Sequence, residues 1–525
     1  MVHLKEQLST PTLVDPLPPD QAAALSAELE RMAEMAVYAR SLVVREGTIY
    51  FLGRRGGTRY LGIIRVGGPL PGFIGVESTV SCDGMVASLQ VCPANAANAQ
   101  ALRAQLPFLV PQAVGLRKSV GCGDRLGIAT PGQVRAVRRG TMYPIFAQQS
   151  IREMTRTGRT PQQVLDDATW GVFQEGWRDG YGADADHLKT IEDIEQCVSA
   201  SFVLYTFDPG DYVDDQAATQ DVDTLRVKIE QLPWHAMDTS WSDLRRHYLG
   251  RTMDVGDFAI LFDELTLLRA AAKYARAVMH TAQLYRYLVD RLDGTGQAYE
   301  IEVSVDETTT PTSPAEHYFV ANELRRLGVQ MVSLAPRFVG RFEKGVDYIG
   351  DVAAFEQQLR VHVAIARALG PYKISFHSGS DKFALYPIVA RVAGDLVHLK
   401  TAGTSYLEAL RVVARVQPTL FREILAFALE RYATDRQSYH VSADVDRVAA
   451  GVNSASDQAL ERFLDTFDAR QILHVTFGSV LTARNNGQNE VYRFRERLLA
   501  VLQEHEEMYY QVLEEHFARH ILPFS

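Results

Sequence analysis

Long apolar runs are missing from this chain: nowhere do 18 consecutive apolar residues occur, which excludes a membrane-spanning helix of ordinary length. Cysteine is scarce. Its four positions, Cys82, Cys92, Cys122 and Cys197, show neither a CxxC nor a zinc-finger spacing, so no disulfide framework or thiolate metal site is predicted and reduced thiols are expected. Excess positive charge is absent too. A formal net charge of −10 gives no electrostatic footprint for nucleic acid or for an anionic membrane surface. No Walker A sequence occurs, and the GCGDRLG run at 121–127 has the wrong glycine spacing for GxGxxG, so nucleotide binding has no support. No HExxH or other contiguous metal motif is present.

What remains is the balance of a soluble protein with an ample core: 46% hydrophobic and 22% charged residues over 525 positions. That length exceeds one average domain, but an α/β barrel takes up ~250 residues or more as one unit. The first residues, MVHLKEQLSTPTLVDPLPPDQ, are polar and proline-rich without an apolar segment, so no leader and a cytoplasmic location are expected. Residues 20–45 read as a helix, and 48–110 carry short alternating runs such as TIYFLG and MVASLQVC. Residues 1–112 are therefore predicted to form a mixed α/β accessory region, and 113–525 a catalytic domain.

From about residue 117 the pattern becomes strand, polar strand end, helix, repeated. The first unit runs from GDRLGIATPG (123–132) into a helical stretch near 145–155, and Thr160, Pro161 and Gln163 predict a capping box opening a helix that Gly180 and Gly182 close. Further strands are expected in ADADHLKT, SFVLYTFD, AYEIEVSVDE, VQMVSLAP, YKISFHSG, GDLVHLKT and RQILHVTFGSVLT (470–482). Helix-period segments at about 216–293 read as a helical insertion. Eight strand-helix units argue for a (β/α)8 TIM-type barrel, with chemistry at the carboxyl ends of its strands.

Histidines gather at those ends: His187, His377, His398 and His474. Each alone is as readily a satisfied core histidine; four at equivalent positions, with carboxylates nearby, suit zinc, manganese or another borderline divalent ion. Glu302 alternates with Ile301 and Val303, which turns it into the barrel, where a buried glutamate suits general acid/base work or a structural ion pair. Asp186 is adjacent to His187, so on a regular strand the two face opposite ways unless the strand bulges. Asp124, Asp208, Asp306 and Glu307 also stand at strand ends, as ligands, bases or caps. The loops SGSDK (Ser378 to Lys382, with Asp381) and KTAGTS (from Lys400) suit the carboxylate or phosphate of an oxygen-rich substrate, with Arg337 as a further clamp and Lys189 as another cation. Thr404 and Ser405 read as ordinary helix caps, and His516 and His520, one turn apart on a charged C-terminal helix, as a solvated face.

The blocks FAQQSIREMTRTGRTPQQVLDDATWGVFQEGW, GADADHLKT, DETTTPTSPAEHYFVANEL, LAPRFVGRFEKGVDYIGD, KISFHSGSDKF and HLKTAGTSYLEAL resemble the tagaturonate/fructuronate epimerases. That resemblance spans roughly residues 115–420. It implies a metal-dependent enzyme inverting carbon 4 of a ketohexuronate, with some relatives acting on tagatose and fructose. By the same resemblance His187, His377 and His398 are metal ligands for zinc, manganese, cobalt or nickel, Asp186 is the base and Glu302 the acid. Both a retro-aldol/aldol route and migration of the carbonyl by proton transfers satisfy the inversion. Alternative readings are a metal-dependent sugar aldolase and a non-catalytic sugar-binding aldolase subunit. The partner expected is a small keto-sugar or keto-sugar acid.

Overall fold

The computed structural model describes residues 16–82, 84–452, 454–485 and 488–525, with Leu4, Gln7 and Leu8; most of the polar N-terminal stretch lies outside the described residues. Eight parallel strands close into a barrel in simple chain order. They are β1 (Ser119–Gly121), β2 (Tyr143–Ser150), β3 (Gly182–Leu188), β4 (Leu204–Phe207), β5 (Glu300–Val305), β6 (Ser333–Pro336), β7 (Lys373–Phe376) and β8 (Val397–Lys400). β8 pairs with β1, which shuts the sheet. Fold and strand count agree with the reading of the sequence, but three elements do not. Residues 143–150 form β2 rather than a helix, and the 470–482 segment lies in the helices Phe467–Val475 and Phe477–Thr482. The first strand likewise precedes 123–132, which is loop leading into the helix Thr130–Val137.

The strands explain themselves by alternation. In β5, Ile301, Val303 and Val305 join the apolar layer beneath the outer helices, while Glu302 and Ser304 turn inward. Helix starts follow the expected chemistry. Thr160 and Gln163 form a capping box with Pro161 in the first turn of Pro161–Gln174, as do Ser313 and Glu316 around Pro314. The former helix ends at Gln174, followed by Gly176 at φ 60°, earlier than Gly180; Gly182 opens β3. Between β4 and β5 the chain holds two short helices, Val222–Glu230 and Trp241–Tyr248, then a hairpin of Arg251–Val255 with Phe258–Phe262. The 29-residue helix Glu264–Leu292 follows and packs between Ile191–Ser199 and Pro314–Arg326, the place of the barrel's fourth helix.

Before the barrel, the helix Pro19–Ala33 covers an antiparallel sheet whose own apolar core includes Leu25, Leu29, Ile49, Phe51 and Leu89. After β8 the remaining chain is chiefly helical, and its last long helix, Glu506–Ile521, packs on Thr130–Val137. That helix bears His516 and His520. Both are buried against Asp381, contrary to the expected solvated face, because the charged residues of the segment sit on its other side. Among the described residues, no helix is long and apolar enough to cross a membrane.

Candidate active site

TIM barrels commonly fill with branched apolar side chains; this one fills with charge. Its lower interior holds Lys373, Ser119 and His398, with the Lys373 Nζ donating to Ser119 Oγ (3.1 Å) and His398 Nδ1 2.9 Å from the same oxygen. Above them, Lys400 at the end of β8 reaches across the barrel. Its Nζ lies 2.6 Å from Asp186 Oδ1, 2.8 Å from Glu302 Oε1, 3.0 Å from Asp184 Oδ2 and 2.8 Å from Thr206 Oγ1. One buried ammonium thus serves three buried carboxylates.

A cavity opens above this layer, lined by Gln148, Asp186, His187, His377 and Lys400 from the strand ends, with Asp306 and Glu307 beside them. Asp186 and His187 both reach it because β3 bulges. Tyr205 pairs with Ala185 but Phe207 with Leu188, so two residues oppose Thr206, and His187 takes a left-handed φ of 55°. The bulge turns two adjacent side chains to one mouth, which regular alternation forbids. Gln148 Nε2 donates to Asp186 Oδ2 at 3.0 Å and fixes that carboxylate.

The two imidazoles face each other. His377 Nδ1 lies 3.1 Å from His187 Nε2, and the far nitrogen of each ring is held by a carboxylate: His377 Nε2 by Glu302 at 2.7 Å and His187 Nδ1 by Asp208 at 3.0 Å. Asp186 Oδ1 is 3.8 Å from His187 Nε2, and Asp306 Oδ1 is 3.2 Å from His377 Nδ1. One atom each of Asp186, His187 and His377 falls within 4.8 Å of the others, as does one each of His187, Asp208 and Glu307.

Electrostatics sort the carboxylates. Burial raises Asp184, over the opposing pull of Lys400, to about 7. Burial works the same way on Asp186 and Glu302, but there Lys400 and the histidines outweigh it and hold both below the ordinary carboxylate range. Burial and Lys400 push His377 down, yet Asp306 and Glu302 prevail and raise it to about 10; His187 is raised by Asp186 and Asp208 against its burial. The two imidazoles thus sit among four carboxylates, Asp186, Asp208, Glu302 and Asp306, with one nitrogen of each ring turned toward the other.

The remaining sequence candidates are dispersed. Ser378, at φ 51°, lines the cavity with Lys400. Glu302 is fully buried below it and meets it only through Lys400 and His377. His398 lies a layer lower against Ser119, outside the His187–His377 group, because alternation along Val397–Lys400 puts it beneath Lys400; burial lowers it to about 3. Asp124 caps a loop by accepting from the amides of Leu126, Gly127 and Ala129. Lys189 pairs with Asp211 at 2.8 Å, and Arg337 does not line the cavity. Asp381 pairs with His516 (2.9 Å) and Arg470 (3.1 Å), and the Lys382 Nζ donates to the carbonyls of Glu343, Val346 and Ser380. The SGSDK loop beyond Ser378 is therefore internal bracing rather than an anion cradle. Thr404 and Ser405 cap nothing: the helix Thr404–Val416 starts after Gly403, and Ser405 Oγ donates to the Gly123 carbonyl. His474 sits on a helix, buried and held far below its ordinary range by that burial and by Arg125. The cavity residues that sequence reasoning passed over are Gln148 and Ser150 on β2, Arg152 and Glu153 on the helix Ile151–Thr157 that follows it, and Lys344 and Tyr439 from distant loops.

Barrels that gather ionisable groups at this end do their chemistry there; fold and cavity together define an enzyme of the (β/α)8 barrel class. Tagaturonate epimerases match residues 38–523 as a family, and the chain belongs to that family, as an epimerase of the isomerase class. A tagaturonate/fructuronate epimerase of Thermotoga maritima is 45% identical over 430 residues, 82% of this chain and 85% of the relative. The crystal structure of a glycerol-complexed fructuronate-tagaturonate epimerase from Cohnella laeviribosi superposes with a TM-score of 0.87 at 39% identity, covering 96% of this chain and 99% of that one. Its native form gives 0.86 at 38% identity over the same shares. The match beginning at residue 38 brings the N-terminal sheet into the family's extent.

Proposed function

We propose that this protein interconverts D-fructuronate and D-tagaturonate by inverting carbon 4, with a divalent metal ion held by His187, His377 and Asp186. The observation that carries the metal is the pair of carboxylate-anchored histidines: Glu302 and Asp208 engage the far nitrogens, which turns His377 Nδ1 and His187 Nε2 toward one space beside Asp186 and Asp306. Two imidazoles and a carboxylate are a donor set for zinc, manganese, cobalt or nickel. When bound there, the ion supplies Lewis-acid polarisation of substrate oxygens. The substrate follows from the family and from what its relatives in Thermotoga maritima and Cohnella laeviribosi are named for.

In this reading Asp186 is the proton acceptor, taking a substrate proton at the carboxylate that Lys400 keeps ionised and Gln148 keeps aimed. Lys400 holds charge at the cavity floor, and Glu302 positions both Lys400 and His377 rather than touching substrate. Asp208 fixes the ring of His187. The test is enzyme stripped with a chelator and incubated with D-fructuronate, with and without each of the four metals, with D-tagaturonate followed by NMR. Conversion restored by metal and lost in His377→Ala is the expected result; conversion by rigorously stripped enzyme refutes the metal, and release of three-carbon fragments refutes epimerisation.

A further inference from the structure

One cation of the cavity makes no hydrogen bond or ion pair among the described residues. Lys400 is engaged by four oxygens, and Arg152 pairs with Glu307 at 3.0 Å above the ring of Tyr439. Lys344, half-buried in the same wall, makes no hydrogen bond or ion pair with any described residue. An ammonium taken partly out of water without a partner is costly, and a site retains one where an anion is to arrive.

Its backbone is clamped on both sides. The carbonyls of Glu343 and Val346 accept from the buried Lys382 Nζ at 2.9 and 2.6 Å, the Gly345 carbonyl accepts from Arg470 Nε at 2.6 Å, and the Glu343 carboxylate accepts from Gln471 Nε2 at 2.6 Å and Ser442 Oγ at 2.7 Å. Lys382, Arg470 and Gln471, all buried, thus fix the loop around a side chain that makes no hydrogen bond or ion pair among the described residues, which is how a binding group is preorganised. Lys382 and Arg470 act on the cavity through this loop, not by direct contact.

We propose that Lys344, with Arg152 beside it, receives the substrate carboxylate and is the residue by which the site tells a ketohexuronate from a neutral ketohexose, an inference that rests on the epimerase reading above. The charged end of the sugar then lies against the Lys344 wall, while its hydroxyls face Asp186 and the histidines. Burial, reinforced by Arg152, also pushes this ammonium down against the pull of Glu153, Asp306 and Glu307, and an arriving carboxylate adds to that pull.

The experiment uses metal-loaded wild-type enzyme with Lys344→Met, Lys344→Gln and Lys344→Arg. Each is assayed for KM and kcat on D-fructuronate and, by calorimetry, for binding of D-gluconate and D-glucitol, which differ in one carboxylate. Lys344→Met and Lys344→Gln are expected to raise KM about tenfold to hundredfold with kcat held within about threefold, and to weaken D-gluconate equally while leaving D-glucitol unchanged. Lys344→Arg restores most of both. Unchanged KM and D-gluconate binding, or equal loss for both polyols, overturns the assignment, as does a wild-type enzyme that binds D-gluconate no better than D-glucitol. Absence of turnover in wild type overturns the epimerase reading instead, and the two binding constants still decide the role of Lys344.

Discussion

Replacing Lys400 by methionine keeps most of the side-chain volume and removes the charge that Asp184, Asp186 and Glu302 share. All four side chains are at most 7% exposed, so solvent cannot take over. Breaking a buried pair by deleting one partner costs about 3–5 kcal/mol. Unfolding entropy scales to about 1.1 kcal/mol/K for a cooperative chain of 525 residues, so the melting temperature should fall by about 3–5 °C. Activity should fall further, by about 100-fold to 10,000-fold, because Asp186 loses the ammonium that keeps it ionised. Scanning calorimetry and NMR-monitored epimerisation measure the two. Lys400→Arg should recover part of the stability but little activity, since a planar fork does not match four oxygens converging on one point. A Lys400→Met enzyme that melts with wild type and turns over normally refutes the charge-compensation argument.

Three further expectations follow from the same geometry. Asp208→Asn should weaken metal binding about tenfold to hundredfold by releasing His187, measured by competition with a chromogenic chelator; unchanged affinity contradicts the anchoring role. His317 and His362 are buried with their Nδ1 atoms 2.7 Å apart, and burial holds His362 down at about 3 and His317 far below its ordinary value. Their folded values lie beneath the unfolded value of about 6.5, so the unfolded chain binds the extra protons and stability is lost as pH falls from about 6.5 toward 3, by up to about 1.4 kcal/mol per pH unit per ring. A double His317→Asn, His362→Asn variant should therefore show a smaller drop in melting temperature between about pH 7 and about pH 5; an unaltered slope contradicts this. Asp381→Ala strands Arg470 and His516 in the interior and should lower the melting temperature by about 3–5 °C, with far less effect on metal affinity than Asp208→Asn.

The barrel was legible because its strands alternate so regularly: Ile301, Val303 and Val305 mark one face of β5 and Glu302 the other. The count of eight came out right although YPIFAQQS was read as helix and RQILHVTFG as strand, since short apolar runs carry no decisive period. His187 and His377 were visible as strand-end histidines. The means by which Asp186 joins them was not, because a left-handed φ at a non-glycine residue leaves no trace in a pattern of residue types. His398 misled for a simple reason: a position two residues before the strand end is one layer too deep. Arg152, Lys344 and Tyr439 escaped because the chain brings them to the mouth from three separated segments. The RFEKGVDYIG loop offered one usable signal, a lysine in an irregular stretch directly after a barrel strand.

Where the metal ion sits decides which side chains face the substrate. Anomalous diffraction from crystals of the metal-loaded enzyme, collected at the absorption edge of the bound ion, locates it directly. The expected result is a single strong peak among His377 Nδ1, His187 Nε2 and the Asp186 carboxylate, reduced or absent in His187→Ala. A peak at the other buried cluster, Asp381, His516 and His520, or no peak in an enzyme that still turns over, contradicts the proposed centre.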